Sequence, residues 1–105
     1  MSFTLVHDAK TGKLLGYLRD LTLNGAQVNG SKELDIGTDV ILTMKLLSDI
    51  PEVVGQELHI GARVTRCIAV TEMPVGYEIG FKFTDLPSEE KELIEKFLQR
   101  YQFSR

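Results

Sequence analysis

The chain has 105 residues, a single-domain length, and 43% hydrophobic with 26% charged residues describes a folded globular domain rather than a disordered one. Its formal net charge of −3 argues against capture of DNA or RNA through a field of Lys and Arg, and Arg19 is the only arginine in the first 60 residues. The single cysteine, Cys67, forms no intrachain disulfide, and His7 and His59 are too few to complete a zinc set around it, so no metal site is expected.

Along the chain, period-two alternation predicts short strands almost to the end. Phe3, Leu5 and His7 share one face of the first, and Ala9-Lys10-Thr11-Gly12-Lys13 reads as its hairpin turn. Leu14, Gly16 and Leu18 alternate with Leu15, Tyr17 and Arg19 on the second. After Gly25, Ala26 and Val28 alternate with Gln27 and Asn29. Asn29-Gly30-Ser31 and Asp35-Ile36-Gly37-Thr38 are turn signals. Val40, Leu42, Met44 and Leu46 form the clearest inward face, and Ser48 to Gly55, with Pro51, breaks the pattern.

Leu58, Ile60, Ala62, Val64, Ile68 and Val70 are expected on one face of a long strand, with Cys67 on the opposite face. Arg66 interrupts that apolar face, which predicts a twist or bulge beside it. Met73-Pro74-Val75-Gly76 turns the chain, and Tyr77, Ile79, Phe81 and Phe83 give the most regular strand. After Pro87 the period changes to 3.6. Ser88 is the expected N-cap, Glu89 and Glu90 suit the helix dipole, and Leu93, Ile94, Phe97, Leu98 and Tyr101 form an apolar stripe, with Arg100 and Arg105 near the C-terminal end. About six short strands then need a closed barrel or two packed sheets, with the helix on the sheet or over one mouth.

Catalysis finds little support. His7 beside Asp8, and His59 on an outer face, make no general base paired with a nucleophile. Cys67 reads as a small filler, and the helical acids Glu89, Glu90, Glu92 and Glu95 read as a solvated face. No glycine-rich loop cradles a phosphate. One segment remains, Asp20-Leu21-Thr22-Leu23-Asn24-Gly25. It can be a tight reversal, held by Asp and Thr side chains with Gly25 at positive φ. It can also present Asp20 and Thr22 to a purine edge, Asp20 accepting from the N1–H and N2–H of guanine.

This turn resembles the [D/N]-x-[S/T]-x-x-G motif of the PilZ domain family at Asp20, Thr22 and Gly25. Tyr77-Glu78-Ile79-Gly80-Phe81-Lys82-Phe83 is similar to the family's late Y-x-I-G-x-x-F strand, and Leu86–Phe103 to its closing helix. The resemblance covers essentially the whole chain. It implies one domain over 1–105, with a six-stranded antiparallel β-barrel over about 2–85 and a C-terminal helix over about 88–102. It also implies a non-catalytic receptor of bacterial cyclic di-GMP signalling that binds the nucleotide and acts on a partner or fused domain, affecting motility, adhesion or polysaccharide export. The ligand-binding set so implied is Asp20, Thr22, Gly25, Arg19 and Gly80.

One departure stands out. Binding members carry an R-x-x-x-R motif upstream of the first strand, and residues 1 to 18 contain no arginine. Lys10, Lys13 and Arg19 are the nearest basic groups, and lysine lacks the planar fork. Either the chain is cut just after the motif, with the arginines supplied from outside it, or it is a divergent domain that works as a protein–protein interaction module without the nucleotide. Neither DNA nor RNA is an expected partner, no cofactor is expected, and an oligonucleotide-binding barrel ranks last because Tyr77, Phe81 and Phe83 share a core face. No apolar run spans a membrane and no signal peptide is visible, so the expected location is the bacterial cytoplasm.

Overall fold

The computed structural model describes residues 4–72 and 75–101. Phe3, Met73, Pro74, Phe103 and Arg105, named above, lie outside the described residues. The alternating segments form β1 (Leu5–Asp8), β2 (Leu14–Leu21), β3 (Gly25–Gly30), β4 (Asp39–Lys45), β5 (Glu57–Val70) and β6 (Gly76–Asp85), and α1 (Ser88–Arg100) follows. The strands pair antiparallel in the order β1-β2-β3-β6-β5-β4, and β1 returns to β4 to close a barrel. Closure removes the sheet edges that six separate strands would leave unpaired.

Inside the barrel, alternation delivers one set of side chains to a common core: Val6, Leu18, Val28, Leu42, Met44, Ile60, Val64, Ile79 and Phe81 are all buried. Tyr77 and Phe83 pack against them from the edge of the same face. In β1 the inward residue is Val6, so the face shared by Leu5 and His7 is the outer one. Ile94 and Phe97 of α1 join the core, and Leu93, Leu98 and Tyr101 pack against it. The polar ties of α1 go to Asp49, in the connection after β4, and to the His59 amide near the start of β5. The helix is therefore seated at that end of the barrel. No helix among the described residues is long and apolar enough to cross a membrane.

Two expectations are corrected. The register of β5 against β6 shifts between Val64 and Arg66, which is the bulge expected beside Arg66. One extra residue reverses the alternation beyond it. Cys67, not Ile68, therefore packs toward the core, and Ile68 is 47% exposed. The second correction concerns the helix start. Pro87, with φ −60° and ψ 152°, is the N-cap, and its carbonyl accepts from the Lys91 amide at 2.9 Å. Ser88 lies one residue inside the helix, and no side chain caps it.

Candidate functional site

The turn between β2 and β3 is held by Thr22. Its amide donates to the Gly25 carbonyl at 2.9 Å. Its hydroxyl accepts from the amides of Asn24 and Gly25, at 3.1 and 3.2 Å, and donates to the Gly25 carbonyl at 3.3 Å. A hydroxyl has one donor and two lone pairs, so all three are used within the turn. Asp20 differs. Its Oδ1 accepts from the Leu21 amide at 2.9 Å, and among the described residues no hydrogen bond reaches Oδ2, which stays open as an acceptor.

Gly25 serves a purpose other than the expected one. Its φ is not positive. A Cβ there would lie 2.2 Å from the Phe81 carbonyl oxygen, so glycine is needed for the close approach of β3 to β6.

Two bulges bring the remaining groups to the outer wall. The β2–β3 register shifts between Leu18 and Asp20, just as the β5–β6 register shifts between Val64 and Arg66. Across the sheet Asp20 faces Gln27, Gln27 faces Gly80, and Gly80 faces Arg66. These four residues form one row over β2, β3, β6 and β5. With adjacent strands about 4.8 Å apart, the row runs roughly 14 Å from carboxylate strand to guanidinium strand. A cavity of about 420 Å³ lies over it, lined by Asp20, Thr22, Gly25, Gln27, Thr65, Arg66 and Gly80, with Ala26 and Phe81.

Four of the five residues expected in the site, Asp20, Thr22, Gly25 and Gly80, are thus brought together. Arg19 stands apart. It lines a second cavity of about 520 Å³ with Leu5, Leu14, Tyr17, Val75 and Tyr77. Lys10 and Lys13 lie at the β1–β2 turn, and neither lines the cavity over the row.

Three polar lining residues were not among the expected site residues: Gln27, Thr65 and Arg66. The Arg66 guanidinium donates to Gln27 Oε1 at 3.3 Å. The Thr65 hydroxyl donates to the Gly80 carbonyl at 3.3 Å. The one available signal was the charge of Arg66 breaking an apolar alternation. It announced a bulge but not which strand would face it.

A closed six-stranded antiparallel barrel with one C-terminal helix defines a class of small β-barrel domain. The chain belongs to the PilZ domain family, whose model matches residues 1–100. Among solved structures it is similar to the PilZ domain with c-di-GMP of YcgR from Escherichia coli, with a TM-score of 0.66 and 12% identity over 93% of this chain and 79% of that one. At that identity the likeness establishes the fold. No curated protein matches the chain.

Proposed function

We propose that this domain is a non-catalytic receptor or adaptor module of bacterial cyclic di-GMP signalling, with the nucleotide seated over the Asp20–Gly25 turn. One observation carries the reading: the three motif residues, from β2, the turn and β3, and Gly80 of β6 line a single cleft on the outer wall. PilZ domains are a family of c-di-GMP-binding modules, and the similar YcgR domain was solved with that ligand. In this reading Asp20 Oδ2 accepts from the guanine N1–H and N2–H. Thr22 holds the turn, and Gly25 and Gly80 keep the cleft floor low. The protein acts in the cytoplasm, where the nucleotide is made, and passes the change to a protein partner or fused domain.

Isothermal titration with cyclic di-GMP checks this. Binding in the micromolar range, lost in Asp20→Ala with the fold retained, is the expected outcome. A folded chain that releases no heat and shows no shift of the Thr22 or Gly25 amides in NMR spectra counts against the reading.

A second reading is favoured by the other cavity, where Leu5, Leu14 and Val75 are exposed beside Arg19. There the domain is a protein–protein interaction module that dispenses with the nucleotide. Partner capture would then survive Asp20→Ala and fail on a polar substitution at Leu14.

A further inference from the structure

We infer that Arg66 is the phosphate-binding residue of the turn cleft, so that the cation of the site comes from the bulge of β5. The inference rests on the nucleotide reading of the turn. Four observations carry it. The bulge between Val64 and Arg66 turns Thr65 and Arg66 both to the outside, whereas unbroken alternation would send one inward. Arg66 ends the row that begins at Asp20, with Gln27 and Gly80 between them. Gly80 leaves room for the arginine to lie across it: a Cβ on Gly80 would be 3.3 Å from Arg66 Cβ and 3.7 Å from its Nε. Finally, Arg66 is held by a neutral amide, Gln27, and not by an acid.

Charge partners separate Arg66 from its neighbours. Arg63, on the same strand, is forked onto Asp39 at 2.8 and 3.3 Å, and Arg100 is paired with Asp49 at 2.9 Å. Each already has a carboxylate partner. Among the described residues no carboxylate pairs with Arg66. Of its five N–H donors one goes to Gln27, and a planar fork remains for two oxygens of one phosphate. Lys82, exposed and in register with Gly25, adds a second positive charge to this wall. An acceptor at one end of the row and a guanidinium at the other match a guanine nucleotide lying along it. Its base edge meets Asp20 and its phosphodiester meets Arg66.

The test follows the Arg66 Nε–H and the Thr22 and Gly25 amides by NMR in the intact chain, with two probes, cyclic di-GMP and inorganic pyrophosphate. Cyclic di-GMP is expected to move all three signals, and pyrophosphate the Arg66 signal alone. Arg66→Lys keeps the charge but loses the fork, and is expected to weaken cyclic di-GMP binding about tenfold or more. An Arg66 Nε–H that stays still with both probes overturns the inference. So does a folded Arg66→Lys that binds cyclic di-GMP as tightly as the wild type, even with the turn amides shifting, and the nucleotide reading then survives. Turn amides unmoved by cyclic di-GMP sink that reading instead, and the pyrophosphate response alone then decides for or against an anion site at Arg66.

Discussion

Gly25 shows how one missing side chain shapes the site. The β3 backbone comes so close to β6 at this point that a Cβ would sit 2.2 Å from the Phe81 carbonyl oxygen. The obstructing atom is backbone, so no rotamer change relieves it. Gly25→Ala must separate the strands or distort the turn that Thr22 ties, and an overpacking cost of about 1–3 kcal/mol is expected. Urea unfolding reads it as a lower midpoint with an unchanged slope. A variant as stable as the wild type would mean that the two strands can part freely there. The motif residues thus divide the work: Asp20 keeps an open acceptor, while Thr22 and Gly25 build the turn that presents it.

Among the elements, α1 shows how an amphipathic segment is locked to a barrel. Ile94 and Phe97 are buried in the core, and the Phe97 and Tyr101 rings pack tilted at 32°, with centroids 4.9 Å apart. Asp49 clamps the end of the helix. Its carboxylate accepts hydrogen bonds from the Tyr101 hydroxyl and, at 2.9 Å, from the Arg100 guanidinium, and its amide donates to Tyr101 Oη at 3.1 Å. The Tyr101 hydroxyl, followed by the Arg100 charge, holds the Asp49 carboxyl below its ordinary value of 3.8. A carboxylate with a depressed folded pKa contributes stability above its unfolded value, and that contribution is lost as pH falls through the folded value. Wild type is therefore expected to melt above Asp49→Asn at about pH 6, and the gap to close at about pH 2. A gap of the same size at both pH values would show that the clamp does not depend on the carboxylate charge. Because Asp49 is exposed, solvent screening keeps the effect small.

At the scale of the whole molecule, closure is uneven. β5 and β6 run together from Gly61 opposite Asp85 to Val70 opposite Gly76, whereas β1 meets β4 over the short stretch of His7 opposite Thr43 and Asp8 opposite Leu42. The seam is the weakest part of the wall, because few ladder bonds and few buried side chains must be given up to open it. Hydrogen exchange is expected to find the β1 amides opening well before those of β5 and β6. Equal protection around the ring would show that the barrel opens only as one unit. The site row lies on β2, β3, β6 and β5, on the side away from that seam, which suits a cleft that must hold its shape.

Much of this was legible beforehand. The six strands, the terminal helix, the turn at Asp20–Gly25 and the inward face of Tyr77–Phe83 all follow from alternation, turn residues and the change of period, because these are local properties of the chain. Arg66 marked its own bulge by charge alone. Only the folded barrel decided that Cys67 rather than Ile68 faces the core, since an inserted residue changes the phase of a strand without changing its composition. Likewise, only strand register set Asp20, Gln27, Gly80 and Arg66 in one row. Pairing between strands distant in sequence is fixed by closure and core packing, and no local pattern records it.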